Sequence, residues 1–172
     1  MRTRNAGRND DMVGDMVKGA LAGAVGVWAL DKVTWWMWDR EDPRALQQER
    51  EARPGGLDPA HVMANRAAEA MGKELTPKQP HPAGIAVHYG LGIMPGAAYG
   101  VLRNRVRAVG AAGGMLYGLA LFLAQDEGLN PILGTSGKPT EYPPQAHLRG
   151  LVGHLVLGAA THATLNALDR VM

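Results

Sequence analysis

Uncharged, largely apolar runs recur along this 172-residue chain at residues 82–102, 108–125 and 150–168, with a shorter one at 19–30, and charged stretches separate them. The run PAGIAVHYGLGIMPGAAYGVL, Pro82 to Leu102, is long enough to cross a bilayer and carries one ionisable group, His88. Gly92, Gly96 and Gly100 recur every four residues and so line one face of a helix. Pro95 lacks a backbone donor, which frees the Leu91 carbonyl and predicts a kink. The run at 19–30 is too short to span alone, so the first predicted helix, residues 11–38, takes in Asp31 and Lys32. Trp35, Trp36 and Trp38 mark an interfacial belt near its end, toward which Lys32 is long enough to snorkel. Asp31 is too short to follow as easily, and lies about 6 Å deeper than Trp35 at ~1.5 Å rise per residue. GALAGAVGVWAL after a basic start resembles a signal-peptide core, but no small-x-small cleavage site follows, which predicts an uncleaved helix.

The polar segment 39–81 interrupts this pattern. Asp42-Pro43 and Asp58-Pro59 each read as a helix opening, an acidic N-cap followed by proline at the first helical position. The first, PRALQQEREAR, is mostly polar and predicts a solvated turn or two. In the second, Ala60, Met63, Ala64, Ala67, Ala68 and Met71 share a face and Gly72 supplies a stop. That predicts a short amphipathic helix lying on the bundle or on the membrane surface. TPKQPHP then makes an extended approach to the run at 82–102. Beyond that run, Ala108 to Gln125 repeats the four-residue spacing with Gly110, Gly114 and Gly118, and Asp126 and Glu127 end it. A turn-rich loop leads to the last predicted helix, 145–171, on which His147, Gly150, His154, Gly158 and Thr161 share a face.

Composition changes this picture only by exclusion. Hydrophobic residues make up 46% of the chain, but they are chiefly Ala, Val and Leu with one Phe, so close packing through small residues outweighs bulk. With no cysteine there is no disulfide, thiolate metal site or cysteine nucleophile. A net charge of +2 without a basic stripe interleaved with aromatics speaks against a nucleic-acid partner. The chain carries no nucleophile–base constellation, and its glycine-rich stretches follow no strand, so they are not cofactor loops and an enzyme is not expected.

Arg103, Arg105 and Arg107 crowd a short loop without acids, which by the positive-inside rule places that loop in the cytoplasm. Both termini, with Arg2, Arg4, Arg8 and Arg170, then face the same side, and segment 39–81, whose seven basic residues meet eight acids, faces outward. In this orientation His88 and His154 lie roughly 6–8 Å below one surface at ~1.5 Å per residue. Asp31 reaches a similar depth, and Asp126 and Glu127 cap the third helix on that side. Ionisable groups within a membrane are costly and need partners, so these form a predicted buried polar cluster. Hydrogen bonds among Asp31, His88 and His154 as interhelical glue, a proton- or cation-handling site, and a metal site built from His88, His154 and Asp31 are all open readings. Haem held between His88 and His154 is formally open too, although no cofactor is required. His162, ~12 Å deeper than His154, extends a relay or bonds Asn166 one turn on. The ladders 92/96/100 and 110/114/118 serve close packing inside the bundle or a homo-oligomer, and a weaker 19/23 pair joins them.

The stretches HPAGIAVHYGLGIMPGAAYG, DEGLNPILG and YPPQAHLRGLVGHLVLG resemble the YagU-like group of uncharacterised bacterial inner-membrane proteins, over roughly residues 14–168. The resemblance implies an inner-membrane location and a multi-helix bundle, and it brings no catalytic residues. The long charged segment 39–81 is where this chain departs. The sequence therefore predicts an all-α, single membrane domain over 1–172, a four-helix transmembrane bundle with helices near 11–38, 82–103, 108–126 and 145–171. A short amphipathic helix sits in the outer segment. The bilayer is its first partner, and its expected role is structural or stress-related, with proton or cation transport and metal or haem binding as alternatives.

Overall fold

The computed structural model describes residues 11–106 and 108–171; the first ten residues, with Arg2, Arg4 and Arg8, and Arg107 of the arginine loop lie outside the described residues. All regular secondary structure among the described residues is helical. Helix α1, Met12–Trp38, opens where Asp11 accepts a hydrogen bond from the Gly14 N–H at 2.7 Å. Both Asp-Pro openings form. Asp42 accepts from Arg44 N–H ahead of α2, Pro43–Ala52, and Asp58 accepts from His61 N–H ahead of α3, Pro59–Ala70. Helix α4, Pro82–Arg103, is capped by the His81 ring, whose Nδ1 accepts from Gly84 N–H at 3.1 Å.

The third apolar run departs from expectation. Residues 108–114 do not extend a helix: Ala112, Gly113 and Gly114 all adopt positive φ, at 52°, 61° and 87°. Glycine costs a helix roughly 1 kcal/mol relative to alanine, and the string GAAGG yields to a left-handed turn instead. Helix α5, Met115–Leu121, starts only after it, widens into a π-helical stretch, Phe122–Leu129, and closes with α6, Asn130–Ile132. Asp126 and Glu127 therefore sit inside a helical rod rather than ending it. Helix α7, Pro144–Val171, completes the fold. Three helices, Met12–Trp38, Pro82–Arg103 and Pro144–Val171, are long and apolar enough to cross a membrane.

Small residues set the packing. Along the α1–α4 seam, Gly19 meets Gly96, Gly23 meets Gly92, and Gly100 lies on the backbone of Asp15 and Gly19. Residue numbers rise on one helix as they fall on the other, so the pair is antiparallel. A Cβ added at Gly23 would stand 2.6 Å from the Gly92 carbonyl oxygen, and one at Gly96 2.7 Å from the Gly23 Cα. Helix α7 lies antiparallel to α1 on another face, with Gly26 against Leu157 and Thr161, and Gly153 against Leu30 and Thr34. Gly114 and Gly118 bring α5 onto Gly158 and His154 of α7. Gly110 stands in the turn, so the second ladder is no continuous helix face. Tyr99, Leu165, Ala22 and Val27 fill the centre and are almost fully buried.

Helix α3 packs on α4, with the face that buries Ala60, His61, Val62, Ala64 and Ala68; Ala67 and Met71, placed on the apolar face by periodicity, are exposed. The outer surfaces of the long helices carry Leu21, Trp28, Met94 and Leu123, each more than half exposed, as a lipid-facing surface would be.

Candidate functional site: carboxylate and imidazole pairs between the helices

The order of packing runs α4, α1, α7, α5, with α1 and α7 in the middle. Helices α4 and α5 therefore form the two edges, and side chains link them. The Gln125 side-chain amide donates to the Leu91 carbonyl at 3.1 Å, and the Tyr99 and Tyr117 rings stack at 4.3 Å. The Leu91 carbonyl is the one that Pro95 strips of its helical donor, so a side chain from the π-helical stretch satisfies it.

Beside this link, carboxylates face imidazoles from different helices. His88 Nε2 on α4 donates to Asp31 Oδ1 on α1 at 2.8 Å. His154 Nδ1 on α7 lies 3.5 Å from Asp126 Oδ2 and also reaches the Gly150 carbonyl at 3.0 Å. Two turns nearer the start of α7, His147 Nδ1 meets Glu127 Oε1 at 2.6 Å and its Nε2 meets the Pro139 carbonyl at 2.9 Å. Both partners of the His147 ring, a carboxylate and a carbonyl, are acceptor groups. The π-helical stretch, which gains a residue over an ordinary turn, is what carries Asp126 and Glu127 toward α7; such stretches recur at functional sites.

The predicted residues thus divide. Asp31 and His88 bond each other, and Asp126 and His154 face each other at 3.5 Å. Glu127 takes His147, which had been placed on the polar face of α7 but not in the cluster. Among the described residues, no group of three or more His, Asp or Glu side chains is arranged to hold a metal ion. His162 bonds neither the cluster nor Asn166: its Nδ1 accepts from the Tyr99 hydroxyl at 2.6 Å, while Asn166 accepts from Arg103. That far end is closed by ion pairs of Asp169 with Lys18 and Arg103, and of Asp15 with Arg105. They bring the start of α1 and the end of α7 to the same end of the bundle.

The main element missed from the sequence is an ionic cap over the opposite end. Buried Arg149 of α7 pairs with both Glu41, just after α1, and Glu49 of α2, and Glu49 also takes Arg53 at 2.5 Å. The Arg149 guanidinium lies 4.7 Å from the Trp38 ring centre, with Arg53 at 5.3 Å and Arg50 at 5.6 Å. Trp38 is therefore an internal anchor, unlike exposed Trp35 and Trp36. Helix α2 is held down rather than solvated. One signal was available, since Arg149 is the only Lys, Arg, Asp or Glu in α7 before Asp169. Beside the cap, the Tyr142 hydroxyl accepts from Gly137 N–H at 3.2 Å, and burial pushes its phenol pKa up. A second joint fixes α3: His61 Nδ1 donates to Asp58 at 2.8 Å and its Nε2 accepts from His81 N–H at 3.1 Å.

These features define an all-helical protein with three apolar, membrane-length helices pressed together through glycine and bridged by carboxylate–imidazole pairs. The chain belongs to the DUF1440 family of proteins of unknown function, which it matches over residues 64–163. The matched stretch runs from within α3 through most of α7, so it takes in His88, Asp126, Glu127, His154 and His162, whereas Asp31 precedes it. No curated protein and no solved structure matches the chain.

Proposed function

We propose that this is a small multi-pass bacterial inner-membrane protein, both ends in the cytoplasm, with a structural role in which carboxylate–imidazole pairs lock the helices together. The observation that carries this reading is the direct Asp31–His88 bond between α1 and α4, at 2.8 Å. In hydrocarbon each of these groups alone would lack a partner, and together they satisfy one another across a helix joint. The orientation rests on the arginine loop, whose Arg103 and Arg105 lie at the same end as Lys18 and Asp169.

Proton handling is the second reading, favoured by the partial exposure of His88 and Asp126 near the loosely joined α4 and α5 edges. Purified protein in liposomes separates the two. The structural role predicts proton flux no greater than in empty vesicles, and lower stability for both His88→Ala and Asp31→Asn. Flux in the native protein that disappears in both variants would replace this reading with the second.

A further inference from the structure

The exposed residues Leu21, Val25, Trp28, Lys32, Trp35 and Trp36 of α1 fall within roughly 100° of arc at 100° per residue. This face lies opposite the buried Gly19, Ala22, Gly23, Gly26 and Val27 that meet α4 and α7. Lys32 does not snorkel toward Trp35 as its length would allow. Its ammonium sits 5.9 Å from the centre of the Trp28 ring, on the deeper side. Helical side chains lean toward the N-terminus, which accounts for that direction. Among the described residues no carboxylate lies within salt-bridge distance of Lys32, and its neighbour Asp31 is taken by His88. A cation at this depth, among exposed indoles, needs an anion that the protein does not supply.

From this charge complementarity we propose that the face binds one anionic phospholipid, resting on the membrane reading above. Its phosphodiester accepts from the Lys32 ammonium between the indoles of Trp28 and Trp35, of which Trp35 stands in the belt at the headgroup level. One acyl chain runs along Val25 and Leu21, the apolar continuation of the same stripe. Trp36 shields the headgroup from the side.

The test uses the full-length protein in vesicles containing brominated phosphatidylglycerol or brominated phosphatidylcholine at equal mole fraction, read by tryptophan quenching. Flotation of the vesicles with the protein first checks the membrane reading by itself. The expected result is an apparent affinity about fivefold higher for phosphatidylglycerol, the ratio expected of one basic side chain near an anionic surface. Lys32→Gln should remove that preference while still floating with the vesicles, whereas Lys18→Gln, at the far end, should keep it. Excess soluble glycerol phosphate should not compete. Equal quenching by the two lipids, or a preference that survives Lys32→Gln, overturns the proposal; displacement by glycerol phosphate would assign the site to free phosphate instead.

Discussion

Two glycine ladders with the same four-residue spacing behave differently in the folded chain. Gly92, Gly96 and Gly100 lie on one continuous helix and receive the backbone of α1. Gly110, Gly114 and Gly118 do not share a helix: the first two stand in and at the end of a left-handed turn, and only Gly118 lies within α5. Spacing therefore states which residues could share a face, and the residues between the glycines decide whether the face exists. In the first ladder the intervening residues include Ile93, Met94, Ala97, Ala98 and Tyr99, which hold a helix against its partner. In the second, Gly110 and Gly113–Gly114 flank two alanines and leave little side chain to oppose the turn.

Substitutions separate the two ladders in a graded way. Gly96→Ile should cost about 3 kcal/mol or more, since even its Cβ falls on the Gly23 backbone. Unfolding of the protein in mixed micelles measures this, and a stability close to native would mean that the α1–α4 seam is absent. Gly114→Ala should cost about 2 kcal/mol through its positive φ, with the Gly158 carbonyl occupying the space its methyl needs. If instead it stabilised the protein, as alanine for glycine does inside a regular helix, the ladder would be helical after all. Gln125→Leu should cost about 1 kcal/mol by leaving the Leu91 carbonyl beside Pro95 without its donor. That loss should vanish in a Pro95→Ala background, where the restored backbone N–H of position 95 donates to the Leu91 carbonyl; an undiminished loss would assign Gln125 some other role. The smallest effect belongs to Gly110→Ala, within about 0.5 kcal/mol, because nothing crowds the position closely.

The three long helices and the two Asp-Pro caps were legible from periodicity and capping chemistry. The pairing of the polar side chains was not. His154 turned to Asp126 because the π-helical stretch carries that carboxylate inward, and no periodicity in FLAQDEGL announces a π-helix. Trp38 read as one of three belt tryptophans, yet it anchors the Arg149 cap, since its place two residues beyond Trp36 turns it to the bundle side of α1. Met71 and Ala67 fitted an apolar face by spacing, while the packing of α3 on α4 chose the face that buries His61. That choice follows from the His61–His81 bond across 20 positions, which local pattern does not encode.

The central claim is that carboxylate–imidazole bonds tie the helices to one another. A double-mutant cycle on Asp31→Ala and His88→Ala, followed by reversible unfolding in bicelles, tests it most directly. A direct bond predicts a coupling of about 0.6 kcal/mol, the average for interhelical hydrogen bonds in membranes, and at most about 1.7 kcal/mol, with His88→Ala costing little once Asp31 is already changed. Strictly additive losses, with no coupling between the two positions, would contradict it.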